Sequence, residues 1–159
     1  MNPKLFLDIA ITPGMSLLPG SMDSAQARAM ILAICLQESG LRHRQQVKGP
    51  ARSYAQFEMN GGIRGVLTHP ITKSYIQKAL EALDYPFDIS TSYIAIEHND
   101  LLCVVYSRLL LYTLPRPLPE IDNPEEGWSQ YLSAWRPGKP HPGTWDANFK
   151  AAWEIVLNG

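Results

Sequence analysis

The chain has 159 residues, the usual size of one domain, and we predict a single domain over residues 1–159. Hydrophobic residues make up 45% of the chain and charged residues 18%, which is typical of a globular protein and excludes a disordered one. A formal net charge of −1 argues against a general nucleic-acid binder, and no run approaches the ~20 apolar residues of a membrane span.

The amino-terminal segment lacks the apolar core of a signal peptide, because Leu5-Phe6-Leu7 is followed directly by Asp8. The two cysteines, Cys35 and Cys103, both lie in apolar runs, which favours free buried thiols over a disulfide. No cysteine or histidine spacing typical of a metal site is present. We therefore expect neither a metal nor another cofactor.

Apolar residues at helical spacing predict an all-α fold of six to eight helices, joined by long connections rich in glycine and proline. The predicted helices run from Asn2 to Pro13-Gly14, from Ser21 or Ser24 to Gly40, from Thr68–Pro70 to Pro86, from Ser90 to Glu97, from Asn99 to Thr113, from Asn123 to about Trp135, and from Trp145 to Leu157.

Two of these segments have a clear position in the fold. The segment from Asn99 to Thr113 is apolar on nearly every side, which predicts a central, buried helix. Residues 41–62, in contrast, are polar and irregular, with Ser53 to Phe57 as the one candidate for a short strand. We expect this irregular segment to follow directly on the second helix.

Glu38 is the residue that does not fit its surroundings. It lies eleven residues after Ala27 on the second predicted helix, and at ~100° per residue this returns to within roughly 20° of the same face. That face is apolar at Ala27, Met30, Ile31, Ile34 and Cys35. Burial and the negative partial charge of a helix C-terminus both raise the pKa of a carboxyl group in this place. A carboxyl group that stays protonated near neutral pH is suited to general-acid catalysis.

The same position has a purely structural alternative. Glu38 could turn to solvent or pair with Arg42, four residues further along the chain. The segment that follows the helix distinguishes the two interpretations.

The triplet Gln37-Glu38-Ser39 resembles the Glu-Ser pair that ends the catalytic helix of the soluble lytic transglycosylases, which belong to the lysozyme superfamily. A second motif of that family, Gly-Ala-x-Gly-Leu-Met-Gln, follows ten to twenty residues later. The segment from Gly49 to Phe57 is similar to it: Ala51 and Gln56 match, and Ser53 replaces the second glycine.

Two further motifs follow in the family's order. Asn99 and Tyr106 match the pattern Asn-x-x-x-Gly-x-x-Tyr, with Cys103 where glycine is usual. Ala134-Trp135-Arg136-Pro137-Gly138 is similar to Ala-Tyr-Asn-x-Gly, with tryptophan for tyrosine and arginine for asparagine. Together the four motifs extend over about residues 25–140. No single one is specific, and their common order carries the resemblance.

The resemblance implies a lysozyme-like helical domain with an irregular glycine- and proline-rich segment after the catalytic helix. It implies cleavage of the β-1,4 bond between N-acetylmuramic acid and N-acetylglucosamine in peptidoglycan, with formation of a 1,6-anhydro sugar. Glu38 would be the catalytic residue, acting first as acid and then as base. The residues implied in substrate binding are Ser39, Tyr54, Gln56, Phe57, Tyr106, Trp135 and Arg136.

Trp135 is a departure with a chemical consequence. In the family a tyrosine hydroxyl at this place reaches the catalytic acid. An indole N–H can also donate, but from a different distance, and a bond from it to the Glu38 carboxylate would lower the pKa of Glu38. Trp135 could alternatively present its flat face to a sugar ring, or belong to the core.

Two other functions remain open at this point. Glu58 is a candidate second carboxylate, and if it lay opposite Glu38 it could hold a water and make the enzyme a lysozyme-type hydrolase. A non-catalytic virion structural protein or glycan-binding module on the same fold is the second alternative. The resemblance to phage-encoded proteins implies glycan strands, and virion or lysis proteins, as partners. Such a protein is made in the host cytoplasm and acts at the periplasmic cell wall, either after holin release or as a virion component.

Overall fold

The computed structural model describes all 159 residues, which form helices, turns and isolated bridges but no strand. The prediction of an all-α fold is therefore confirmed. In chain order the α-helices are α1 (Pro3–Phe6), α2 (Thr12–Met15), α3 (Ala25–Ser39), α4 (Arg64–Thr68), α5 (Lys73–Ala82), α6 (Ile89–His98), α7 (Asp100–Tyr112), α8 (Pro124–Trp135) and α9 (Trp145–Asn158).

The capping residues fix the ends of the long helices as the sequence predicts. Ser24 begins α3 by accepting a hydrogen bond from the Ala27 N–H at 3.1 Å, and Gly40 ends it in the left-handed conformation with φ +60°. Asn99 and Asn123 accept corresponding bonds at the starts of α7 and α8. Because these signals are local, they are readable without knowledge of the tertiary structure.

The amino-terminal helix does not stop at Pro13-Gly14 as predicted. A π-helical turn, Leu7–Ile11, joins α1 to α2, and the helix continues to Met15. The wider turn shifts the hydrogen-bonding register, so that Pro13 falls in the first turn of α2, where a missing N–H is tolerated.

Two predictions in the middle of the chain are also wrong. Thr68 ends the short helix α4 instead of starting a helix, and α5 begins only at Lys73. The candidate strand at residues 53–57 is a tight loop, closed by a single bridge between Arg52 and Phe57. Its backbone takes positive φ values at Ser53 and Gln56, which are incompatible with a strand.

The core is one cluster of 39 buried hydrophobic residues, organised around α3 and α7. Both helices are buried over most of their length, and α7 is the central helix that the sequence predicts. The last helix, α9, packs along α3, while α2, α5 and α6 pack against α7. The last turn of α3 therefore emerges from the core with Glu38 on it.

Gly14 allows α2 to approach α7 closely. A Cβ atom at this position would lie 2.9 Å from both Cβ and Cγ1 of Val104, a β-branched residue that has little freedom to move away. We expect Gly14→Ala to lower the free energy of unfolding by about 1–3 kcal/mol in denaturant titrations. Gly20→Ala is the control, since its Cβ would meet no atom within 4 Å. Equal stability of the two variants would contradict the close packing of α2 on α7.

Candidate active site

A cleft of about 1100 Å³ runs across the molecule at the end of α3. Its walls come from that helix end, the loop and π-helical turn over residues 51–63, the start of α4, the end of α7, the second half of α8 and the loop that follows α8. The cleft brings together six of the nine residues that the sequence predicts for the site, namely Glu38, Gln56, Phe57, Glu58, Trp135 and Arg136.

Glu38 is half-buried at the wall of this cleft. Burial raises the pKa of its carboxyl group above the ordinary value, and a hydrogen bond from the Tyr131 hydroxyl opposes part of that rise. The structural alternative that Glu38 pairs with Arg42 is wrong, since the two form neither an ion pair nor a hydrogen bond. The carboxyl group is thus available to a ligand in the cleft.

Tyr131 and Lys139 line the cleft although the sequence analysis does not predict them, and Tyr131 is the one in contact with Glu38. Its hydroxyl donates to Glu38 Oε1 at 2.6 Å, and its side chain is only 3% exposed. Burial and the nearby carboxylate raise the pKa of Tyr131, so this hydroxyl keeps its proton. One signal was present in the sequence: Tyr131 precedes Trp135 by four residues, which places both on one face of α8.

Trp135 does not make the bond to Glu38 that its position in the motif suggested. Its indole N–H donates to the Ala55 carbonyl at 2.9 Å, and its ring packs against Phe57 with centroids 5.7 Å apart. The indole thus fixes the loop under the cleft, while Tyr131, one turn earlier on α8, reaches the carboxyl group. The half-buried face of Trp135 still lines the cleft.

The loop that carries Gln56 is held in a strained shape. Ser53 and Gln56 have φ values of 68° and 56°, in the left-handed region that residues with a Cβ rarely adopt. The Gln56 amide nitrogen donates to the Ser53 carbonyl at 2.7 Å, which leaves its amide oxygen without a protein partner. Strain of this kind persists where the surroundings fix the backbone, and it is common at functional sites.

Three of the predicted binding residues do not line the cleft. Tyr106 is fully buried and donates to Ser92 Oγ at 2.7 Å, and Tyr54 packs edge-on against Phe6 and is 4% exposed. These two side chains lie in the core, out of reach of a ligand in the cleft. Ser39 donates to the Tyr54 carbonyl at 2.7 Å and so ties the helix end to the loop.

The charges along the cleft are unevenly distributed. Glu38 and Glu58 are its two carboxylates, and Glu58 is exposed. Arg136 and Lys139 line the loop side, both are exposed, and neither forms an ion pair or a side-chain hydrogen bond within the protein. Arg136 takes φ +49° at the end of α8, which turns the chain out of the helix and along the cleft. The loop side of the cleft therefore favours anionic ligands.

No group of three or more histidine, cysteine, aspartate or glutamate side chains is arranged to hold a metal ion. The cysteines are free and buried, and none of the helices has the length and apolar character needed to cross a bilayer. Comparison of the chain with protein-family models, with curated proteins and with solved structures yields no match. The geometry of the site and the sequence motifs are therefore the features that bear on function.

The bond from Tyr131 predicts a specific titration of Glu38. We expect the ¹³C carboxyl resonance of Glu38 to titrate with a pKa above that of an ordinary glutamate, and with a still higher pKa in Tyr131→Phe, which lacks the donor that stabilises the charged form. Tyr93→Phe is the control, because Tyr93 donates to the Pro50 carbonyl and has no bond to Glu38. A lower pKa in Tyr131→Phe would contradict the assigned role of the hydroxyl.

A raised pKa also makes stability depend on pH. The folded protein binds the Glu38 proton more tightly than the unfolded chain does, so the wild type loses stability as the pH rises from the unfolded pKa through the folded one. Glu38→Gln, which stays neutral, should match the wild type at acidic pH and exceed its free energy of unfolding increasingly up to neutral pH. Glu81→Gln, on the exposed side of α5, controls for the substitution itself. A constant difference across this pH range would contradict a buried carboxyl group.

Proposed function

We propose that this protein is a lytic transglycosylase of lysozyme-like fold that cleaves the β-1,4 bond between N-acetylmuramic acid and N-acetylglucosamine in peptidoglycan. The observation that carries the proposal is the Glu38 carboxyl group, half-buried, raised in pKa and turned into a cleft of about 1100 Å³. The proposed substrate and reaction are those implied by the four sequence motifs that resemble the lytic transglycosylases.

In the first step the protonated Glu38 donates its proton to the glycosidic oxygen as the bond to the muramoyl C1 breaks. Positive charge develops at that carbon, as in other glycosidases. Burial supports this step, because it keeps the carboxyl group protonated at a pH where an exposed glutamate is ionised.

In the second step the Glu38 carboxylate accepts the proton of the muramoyl 6-hydroxyl, whose oxygen closes on C1 to give the 1,6-anhydro ring. One carboxyl group thus serves as acid and then as base, and no water is consumed. The Tyr131 hydroxyl, 2.6 Å from Glu38 Oε1, donates to the carboxylate formed between the two steps and stabilises it.

The cleft walls are suited to a glycan strand. Trp135 offers part of an aromatic ring, Gln56 a free amide oxygen, and Arg136 and Lys139 two unpaired cations. Ring faces bind the apolar faces of sugars, and the cations are suited to the lactyl and peptide carboxylates of peptidoglycan. We propose that Gln56, Trp135 and Arg136 contact the substrate directly.

Glu58 gives the hydrolytic alternative a specific basis, since it lines the same cleft as Glu38. A carboxylate opposite the acid could position a water molecule, and the product would then carry a reducing end. Glu58 is exposed, whereas Glu38 is half-buried, and the motifs that resemble the transglycosylases favour the mechanism with a single carboxylate.

The cell wall is the place of action that follows from this substrate. We propose that the protein is phage-encoded and made in the host cytoplasm. It reaches the periplasmic peptidoglycan either after holin release or as a virion component, with lysis or virion proteins as partners.

The proposal is tested by digesting purified peptidoglycan and analysing the released muropeptides by mass spectrometry. The wild type should release anhydro-muropeptides, and Glu38→Gln should lose at least about 10²–10⁴-fold of that rate, since the amide cannot donate the acid proton. Glu58→Gln is the matched control and should retain most of the activity. Its fold and that of Glu38→Gln are checked by thermal unfolding.

The other outcomes are equally informative. Reducing-end products that disappear in Glu58→Gln would replace the transglycosylase by a hydrolase with two carboxylates. Equal release by the wild type and Glu38→Gln would overturn the enzyme in favour of a glycan-binding or structural protein.

A further inference from the structure

A second pocket, of about 690 Å³, lies beside the cleft and is not used by the proposed reaction. It is an open pocket, lined by the start of α3, the end of α7, the proline-rich connector that follows α7, and Ile71 before α5. Leu114 lines both cavities and is the only residue that they share. The pocket has the volume that small-molecule sites usually have.

Arg108 on α7 lies at this pocket and is 7% exposed. Its Nε donates to the Met22 carbonyl at 2.8 Å, and its guanidinium carbon lies 5.4 Å from the centre of the Tyr112 ring. Its two terminal nitrogens form no hydrogen bond or ion pair within the protein. A buried arginine normally uses this fork of donors to bind a carboxylate or phosphate.

The neighbouring acids are already engaged. Asp23 is the acid whose charge acts on Arg108. Both of its carboxylate oxygens accept hydrogen bonds from Arg28, at 2.7 and 2.8 Å. Glu120 lines the pocket and accepts from Gln26 at 3.0 Å. Burial lowers the pKa of Arg108, and the nearby Tyr112 and Asp23 offset only part of that effect.

Leucine, isoleucine and proline make up six of the twelve residues that line the pocket. Leu111, Leu114 and Leu118 line the pocket together with Pro115 and Pro117. Such a surface favours a ligand with an apolar part beside its anionic group, and it disfavours a bare inorganic anion, which would lose its hydration without gaining apolar contacts. The second cation at the pocket, Arg116, forms an ion pair with Glu126 at 3.3 Å. Arg108 is therefore the cation at the pocket that has no ion pair.

We propose that this pocket binds a small carboxylate with an apolar group attached, and that the terminal nitrogens of Arg108 hold the carboxylate. The carboxylate can belong to a free short-chain acid or to the end of a peptide, and both present the same group to the arginine. The site is independent of the chemistry at Glu38, because Arg108 does not line the cleft.

The full-length protein is titrated with propionate, N-acetylalanine, its neutral amide and inorganic phosphate, while the ¹⁵N–¹H signals of Arg108 Nε and of the Leu111, Leu114 and Leu118 amides are followed by NMR. The two carboxylates should give saturable shifts at these four positions, and the neutral amide should not. Tighter binding of N-acetylalanine would identify peptide ends as the source, and tighter binding of propionate would identify free acids.

Arg108→Gln removes the charged fork and retains a donor at the position of Nε, so that the Met22 carbonyl stays bonded and the fold is preserved. This variant should weaken carboxylate binding by about tenfold to a hundredfold, whereas Arg64→Gln, at an exposed position on α4, should leave it unchanged. The proposal is overturned by absent shifts, by equal binding of the neutral amide, by tighter binding of phosphate than of propionate, or by unchanged affinity in Arg108→Gln.

Discussion

The hydrogen bond between Tyr131 and Glu38 joins the two helices on which the candidate site depends. Burial and this bond act on the pKa of Glu38 in opposite directions, and burial is the larger effect. In the proposed reaction this balance suits Glu38, which must be protonated before the glycosidic bond breaks and ionised afterwards. Because Tyr131 itself keeps its proton, its hydroxyl can donate to the carboxyl group in both states.

Both partners of this bond are fixed by the last helix. The Tyr131 ring stacks on Trp145 at 5.4 Å with 10° between the planes, and Trp145 is held by donation to the Pro124 carbonyl at 2.8 Å. On the other side, Gln37 accepts from Asn148 at 2.8 Å and so ties the end of α3 to α9. The site is therefore positioned by packing among α3, α8 and α9, and the irregular loop is added to a frame that is already rigid.

Local signals in the sequence predict the helix ends, because capping involves residues only a few positions apart. A place on an apolar face does not by itself single out Glu38, since Ala29, Leu32 and Ala33 are also buried and α3 has no solvent side over most of its length. What distinguishes Glu38 is that the last turn of α3 leaves the core there. Likewise, the motif at residues 134–138 indicates Trp135 as the partner of Glu38. The partner in the structure is Tyr131, because α8 approaches α3 in a way that no local sequence pattern predicts.

Ser53 and Cys103, two positions at which the chain departs from the transglycosylase motifs, lie beneath the cleft and not on its surface. Both residues are fully buried, neither lines the cleft, and the two side chains are neighbours. Ser53 takes a left-handed backbone conformation, which costs a residue with a Cβ about 1–2 kcal/mol and which glycine adopts without strain. Gln56 and Glu38 nevertheless both line the cleft, so the departures at Ser53 and Cys103 leave the proposed site residues on its surface.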